Sequence, residues 1–441
     1  MHPATPAELK SLAEAGELDA RIAFAERIGN HRGHAVLLKS AWERTFGPRL
    51  GLEAVPEADV PPPAWRGMPT TGVRKTFALL IEFQDDPHRN SPESIGRALF
   101  GRPGAGGTFE SLAAYYERSS YRGLDLYGGA TIGWYHAAYR RADVDQSPEG
   151  RVRLIEEALT HFHSLGHDFS QYDTNGDGIV DYFMVLWAGE DTKYGSFWWA
   201  YEFNFEDEGF ALDGVGFGPY AWMWESRPVG SPFDVVTAIH ETGHALGVPD
   251  LYDGDPERGP PGGVGGLDMM DHLLQYDHNC FSKWLLGWVT PMTVTQGEQR
   301  IALRPSSSSP DCVLIWPRVR PDAMFAEFFM VEHRARDGND AELPGDGLVI
   351  WHIDARIRKG DFACDNSRSK HKLVRLMEAD GREQIEKGQL ADAGDFYQAG
   401  MSFGATTFPS SKGYRRARSG VTVRDITREP GWITATFAIG R

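Results

Sequence analysis

The sequence predicts an α+β protein in which a short helical segment precedes a mixed region of strands and helices and then a β-rich region. Three observations predict it. Thr5 to about Gly29 has helical spacing, with Thr5-Pro6-Ala7-Glu8 as a capping-box start and Leu9, Leu12 and Ala13 on one side. The continuous apolar runs Thr76 to Phe83 and Tyr182 to Ala188 read as buried strands, with helical stretches at Phe109 to Ser119 and Arg151 to Leu165 between them. After Pro291 strands and turns alternate, most clearly in Phe328 to His333 and Gly347 to His352, and Gly420 to Gly440 adds two more strands.

The remaining elements follow in order. A second short helix is expected over Ala35 to Trp42, and the proline-rich stretch Val55 to Gly72 reads as a linker. The N-terminal part is either a packed helical appendage or a segment that covers a functional site. Tyr194 to Trp224 is rich in aromatic residues, which are read as core; its end, Val215 to Trp224, is a candidate sheet edge for pairing with a peptide. The expected divisions are residues 1–73, 74–291 and 292–441. A chain of 441 residues exceeds the usual single-core size, which fits such a division.

Composition narrows the function. Hydrophobic residues make up 41% and charged residues 24%, ordinary for a soluble globular chain. The net charge of -17 argues against nucleic acid or an anionic membrane as partner, and it is compatible with bound Ca2+. No run is long enough for a transmembrane helix, so membrane insertion is not expected. Met1-His-Pro-Ala-Thr-Pro lacks the basic and apolar regions of a signal peptide, which leaves cytoplasmic residence, another export route or a leader outside this chain. The 3 cysteines, Cys280, Cys312 and Cys364, are no disulfide framework; one bridge or three reduced thiols remain open.

The most informative run is Asp234-Val-Val-Thr-Ala-Ile-His-Glu-Thr-Gly-His-Ala-Leu-Gly-Val-Pro-Asp250, which contains HExxHxxGxxD. On a helix, His240 and His244 lie one turn apart on the same face and can bind one Zn2+. Glu241 sits beside them, within reach of a metal-activated water. Gly247 can end the helix in a left-handed turn, Pro249 prevents its resumption, and the reversal can return Asp250 as third ligand. Three protein ligands leave a position open, the arrangement of a catalytic site. Ser231-Pro232-Phe233-Asp234 reads as the helix start, with Ser231 as N-cap. The plain structural reading, a buried helix with hydrogen-bonded core histidines, does not account for Gly247 and Asp250.

Asp173-Thr-Asn175-Gly-Asp177-Gly178-Ile-Val-Asp181 places oxygen donors at alternate positions around glycine. This is the first part of a Ca2+ loop, with Asp173, Asn175, Asp177 and Asp181 offering side chains and Ile179 a backbone carbonyl. Met184 occupies the place of the bidentate acid, so the loop is not an EF-hand and points to a structural ion. Gly262-Gly-Val-Gly-Gly-Leu-Asp-Met-Met-Asp271 can pass beneath a metal as an apolar floor, with Met270 preferred over Met269; a surface turn is the alternative. Tyr276 is a candidate oxyanion donor. His352 and Asp354 share a strand face, where a structural hydrogen bond competes with a metal or catalytic pair, and Glu332 is open in the same way.

These motifs and their order resemble the immune inhibitor A family of bacterial secreted zinc metallopeptidases, within the wider metzincin group. The resemblance runs from Arg74 to Gly440 and includes Ser120 to Gly129, the 173–181 loop before Trp187-Ala-Gly189, His240 to Asp253, Phe281 to Trp288, Leu343 to Leu348 and Trp351-His-Ile-Asp354. It implies a metzincin-like metallopeptidase domain with a mixed sheet and an active-site helix, followed by a β-sandwich-like domain. It also implies zinc on His240, His244 and Asp250, Glu241 as base and Met270 in a Met-turn. Family members usually carry a leader and a longer N-terminal prosegment than the residues before Arg74. The expected function is zinc-dependent endopeptidase action on protein or peptide substrates. The alternative is a non-catalytic cell-surface or glycan-binding protein with the same fold, against which retention of Glu241 argues.

Overall fold

The apolar runs of the middle region form a five-stranded mixed sheet: β1 (Phe77–Glu82), β2 (Ala130–His136), β3 (Phe183–Trp187), β4 (Tyr201–Asn204) and β5 (Pro219–Trp224). The strand order is β2-β1-β3-β5-β4, parallel throughout except for the antiparallel β5–β4 pair. Every residue of β1, β3 and β5 is buried. That is the signature of a sheet covered on both faces, and it explains why these strands lack polar alternation. Phe77, Phe183 and Tyr220 sit in register across the three strands, with ring centroids 5.2 and 5.3 Å apart, so cross-strand aromatic contacts hold the alignment.

The computed structural model describes residues 4–50, 65–103, 110–255, 258–259, 261–271, 276–317, 319, 324–359 and 361–440. Among the described residues there are eight α-helices: α1 (Pro6–Glu14), α2 (Leu18–Ile28), α3 (Ala35–Phe46), α4 (Pro92–Phe100), α5 (Leu112–Ser119), α6 (Pro148–Ser164), α7 (Val235–Leu246) and α8 (Cys280–Leu285). None of them is long and apolar enough to cross a membrane. The chain divides into two compact units: Met1–Asn30, Arg66–Glu117 and Arg122–Val248 form the first, and His31–Trp65, Arg118–Tyr121 and Pro249–Arg441 form the second.

In the first unit α7 lies against β5 and β4, α6 against β1 and β2, and α4 against β2 and α7. Three expectations are corrected here. The helix expected over Thr5 to Gly29 is two helices, because Gly16 turns left-handed (φ 72°) and lets Gly16 and Glu17 donate back to Ala13 and Leu12. Thr5 does cap α1, accepting from the Glu8 amide at 3.1 Å, and Gly29 ends α2 at φ 91°. The stretch Val215 to Trp224 is not the sheet edge: β5 lies between β3 and β4, and β4 takes the edge. The N-cap of α7 is Asp234 rather than Ser231, whose amide instead closes a turn onto Pro228. Of the expected linker, residues 55–64 lie outside the described residues.

The second unit is built on two sheets. One has the order β6-β8-β9-β10-β11, from β6 (Met292–Val294), β8 (Cys312–Ile315), β9 (Glu327–Arg334), β10 (Gly347–Asp354) and β11 (Val374–Leu376). The other has the order β7-β13-β12, from β7 (Gly297–Leu303), β12 (Val421–Glu429) and β13 (Trp432–Ile439). Alternate residues of both sheets, including Val313, Ile315, Phe329, Val331, Ile433 and Phe437, share one apolar core. The helix expected at Ala35 to Trp42 runs on to Phe46 and belongs to this unit, where Thr45 accepts the Trp284 indole N–H at 2.9 Å and Phe46 meets Trp316 edge-on. All three cysteines are free and buried.

The Asp234 carboxylate joins sheet and helix. Oδ1 accepts from the Thr237 amide at 3.2 Å, and Oδ2 accepts from the Thr237 hydroxyl at 2.7 Å and the Trp224 indole at 3.1 Å. Asp234→Ala removes the cap, which costs about 1–2 kcal/mol, and strands the indole N–H, which adds about 1–3 kcal/mol. Urea unfolding is expected to show a lower midpoint with an unchanged m-value.

Candidate metal centre

Helix α7 is buried along nearly its whole length. His240 and Glu241 have no exposure, and His244 and Asp250 have 5% and 1%. Its end is a left-handed closure. Gly247 has φ 108°, its amide donates to Gly243 and His244 carbonyls at 3.1 and 2.8 Å, and the Val248 amide returns to Gly243 at 3.1 Å. A Cβ is disfavoured in that conformation, so glycine is the residue the turn requires. The reversal lets His244 Nδ1 reach the Val248 carbonyl at 2.9 Å. With that nitrogen donating, Nε2 presents its lone pair.

Along this continuous stretch of chain, His240, His244 and Asp250 bring one potential ligand atom each to within 4.8 Å of one another. The two imidazole rings meet edge to face with centroids 4.9 Å apart. Two imidazoles and one carboxylate are a donor set that fits a borderline metal ion such as zinc, with room for further ligands. The chain after Asp250 is tied down at once: Leu251 donates to the Met270 carbonyl at 2.8 Å. Met269 and Met270 are both fully buried. The glycine turn before them is organised by two acids. Asp271 Oδ2 accepts from Val264 at 2.9 Å and Gly266 at 2.5 Å, while Asp268 accepts from the Met270 amide and from Asn279 at 2.7 Å each.

Two residues that sequence reading missed lie close to this stretch. Glu202, on edge strand β4, has its carboxyl pushed up to about 8, first by burial and then by the charge of Glu241. Its backbone exchanges hydrogen bonds with the Asn30 side chain: Asn30 Nδ2 donates to the Glu202 carbonyl at 3.1 Å, and the Glu202 amide donates to Asn30 Oδ1 at 3.3 Å. Glu8 and Arg21 dock the same N-terminal helices by bonds to the backbone of Tyr194 and Thr192. His31 is buried, and its ring is pushed down to about 4 by burial and by Arg368, against the opposing pull of Asp365 and Asp250. No local spacing in the sequence links either residue to the histidine motif.

The acidic loop folds around its own backbone. Asp173 accepts from the amides of Gly176, Asp177 and Gly178 at 2.8, 3.1 and 2.9 Å. Asp177 accepts from the Asn175 side chain at 3.0 Å and from the Ile179 amide at 3.0 Å. Asp181 is buried and bonds to the Thr174 hydroxyl, which Arg74 also reaches at 2.8 Å. Burial, together with Asp177 and Asp173, pushes its carboxyl up to about 6 against the pull of Thr174 and Arg74. Ile179 and Val180 then pair in parallel with Gly216 and Phe217.

The remaining candidates are engaged elsewhere in the second unit. The Tyr276 hydroxyl donates to the Glu342 carbonyl at 2.8 Å. Glu332 is fully buried and accepts the Trp351 indole N–H at 2.8 Å, with Arg334 at 3.6 Å. His352 stacks between Phe329 and Tyr414, centroids 4.7 Å away on each side, and lies 3.3 Å from Glu327. Asp354 groups with Cys364 and His371, but the Arg356 guanidinium clasps its carboxylate and supplies the positive charge there.

No model of a known protein family matches this chain. The chain is similar to immune inhibitor A of Bacillus thuringiensis subsp. alesti, with 26% identity over 41% of this chain and 34% of that protein. It is also similar to the pre-pro-metalloprotease PrtV of Vibrio cholerae serotype O1 (strain M66-2), with 28% identity over 41% of this chain and 25% of that protein. The chain therefore spans about a third and a quarter of the lengths of these relatives. The likeness is distant and partial, and it supports kinship with metalloproteases in general terms.

The raised carboxyl of Glu202 has a sign that can be measured. Its folded value of about 8 lies above the ordinary 4.5, so the folded state holds the extra proton between those values. The part of the stability that depends on Glu202 is then fully present below about pH 4.5 and is lost as pH rises towards 8. In metal-free protein, Glu202→Gln is expected to flatten this decline and to raise Tm at pH 9, with little change at pH 4. Thermal unfolding across that range reads the difference.

Proposed function

We propose that this protein is a zinc-dependent endopeptidase with a metzincin-like active site, acting on protein or peptide substrates. The observation that carries the reading is the convergence of His240, His244 and Asp250 within 4.8 Å, next in sequence to a buried Glu241. The distant likeness to a pre-pro-metalloprotease supports the same class of reaction. In this reading His240, His244 and Asp250 hold the metal. Zinc, when bound, polarises the scissile carbonyl and lowers the pKa of water towards 7.

Glu241 is the general base. It takes the proton of the attacking water and delivers it to the leaving amine, so one carboxylate serves both halves of the reaction. Glu241 is fully buried and lies within electrostatic range of Glu202 and Tyr182, whose own protons its charge helps to hold. The Val248 carbonyl fixes the His244 ring through Nδ1 and keeps Nε2 for the metal. Met270 is the Met-turn residue, tied to Leu251 through its carbonyl. The loop of Asp173, Asn175, Asp177, Ile179 and Asp181 binds Ca2+ for stability rather than for chemistry.

Protein purified without added metal is expected to contain zinc. Glu241→Ala is expected to keep that zinc and to lose about 10²–10⁴-fold in turnover of a casein-type substrate. His244→Ala loses the zinc as well. Turnover by Glu241→Ala equal to the parent would refute the assignment of the base. For the acidic loop, Ca2+ at a hundred times its dissociation constant adds about 2.7 kcal/mol of stability. Asp173→Ala is expected to reduce the Ca2+-induced rise in Tm, and an identical rise in parent and variant would rule the loop out.

A further inference from the structure

The second unit holds another convergence of acids, far along the chain from the histidine motif. Glu378, Asp380 and Asp395 bring carboxylate oxygens within 4.8 Å of one another. Glu378 and Asp395 are buried, at 2% and 0% exposure. The Glu378 oxygens accept from the Gln384 and Ile385 amides at 2.7 and 3.3 Å. Asp395 Oδ2 accepts from the Asp392 amide at 2.7 Å, while its Oδ1 is buried without any hydrogen-bond partner. A Cβ on Gly394 would stand 2.7 Å from Asp380 Oδ2, so bare backbone lines one side of the cluster. The cation at hand is Arg382, 3.2 Å from Asp380, but its side chain is 68% exposed and reaches in from solvent. An exposed guanidinium of that kind contributes little to neutralising a buried acid.

We propose that Glu378, Asp380 and Asp395 form a Ca2+ site that clamps the base of the 378–395 excursion. The donor set is oxygen alone, with no histidine or thiolate in the group, which selects a hard cation over zinc. Oxygens on opposite sides of Ca2+ stand about 4.6–5.2 Å apart, from Ca–O distances of about 2.3–2.6 Å. Three carboxylates gathered within 4.8 Å of one another can meet on one such ion. Without a cation, burial and the neighbouring acids push Asp395 up to about 7 and Glu378 above its ordinary value. A bound divalent ion reverses that balance.

The clamp has a structural target. The excursion lies on the glycine turn: the Ala391 amide donates to the Gly265 carbonyl at 2.8 Å, and a Cβ on Gly262 would stand 1.7 Å from the Ile385 carbonyl. The same turn leads into Met270, whose carbonyl holds Leu251 next to Asp250. Ca2+ at Glu378, Asp380 and Asp395 thus fixes the outer layer of the segment that positions Asp250.

The test uses the full chain with its zinc, desalted into metal-depleted buffer, and follows Ca2+ binding by equilibrium titration and thermal unfolding. Asp395→Asn keeps the shape and removes the charge. It is expected to bind one fewer Ca2+ per chain than the parent and to lose part of the Ca2+-induced rise in Tm. In metal-depleted buffer it is expected to melt at or above the parent, because the repulsion is gone. The deficit persists when Asp177→Asn is also present, which separates this site from the loop at 173–181. Arg382→Ala keeps the full stoichiometry. Equal stoichiometry and an equal Ca2+-induced Tm rise in parent and Asp395→Asn would overturn the proposal. If that variant does not fold, Asp380→Asn carries the same expectation, and full Ca2+ binding by it overturns the proposal equally.

Discussion

The site depends on one backbone conformation, the left-handed residue at Gly247. A helix continued through that point would carry Asp250 onward along the axis of α7 and away from the two histidines. At φ 108° the chain reverses instead, and the amides of Gly247 and Val248 satisfy carbonyls in the last turn of α7. The same reversal offers the Val248 carbonyl to His244 Nδ1. One glycine therefore sets the approach of Asp250, the tautomer of His244 and the start of the next segment. Any other residue there adds steric strain of about 1–2 kcal/mol, incurred where the geometry has least tolerance.

A second constraint is how the protein keeps charge in its interior. In the second unit several buried charges are paired. Lys283 meets Asp277 at 2.6 Å, and Arg334 is held by Asp340, with Glu332 close by. Removing one partner of such a pair leaves an uncompensated charge that is costly to hold away from water. Near α7 the pattern is different, since the charge of Glu241 adds to burial in raising the affinity of Glu202 for a proton. Glu378, Asp380 and Asp395 repeat the like-charge pattern. Paired charges lock a fold, whereas gathered charges of one sign create demand for a proton or a cation.

Much of this was legible along the chain. The strands at 77–82 and 183–187 and the end of α7 follow from continuous apolar runs and from glycine placed after helical periodicity. The misreadings share a cause. Ser231-Pro232 has the local chemistry of a helix start, but Asp234 has a distant partner in Trp224, and that bond selects the cap. The helix expected over Thr5 to Gly29 had enough apolar spacing to continue, yet Gly16 breaks it, and Arg21 of α2 and Asn30 just beyond it dock on the segment 192–202. The run from Val215 to Trp224 resembled an exposed edge only because nothing in it announces that β4 will pair outside it.

The sequence by itself determined the elements whose chemistry is local. The i,i+4 spacing of His240 and His244, the glycine after the last helical turn, and the alternating oxygens of the 173–181 loop all act within a few residues, where bond geometry leaves few alternatives. Only the tertiary structure decided which distant groups share the interior with them. Glu202 comes near Glu241 because β4 pairs antiparallel to β5, on which α7 packs. Asp395 returns to Glu378 because the chain leaves and rejoins the sheet edge around β11, with the Ala379 amide donating to the Asp395 carbonyl at 3.3 Å. Such meetings depend on strand order and register, which no short-range pattern specifies, and the electrostatics of both sites follow from them.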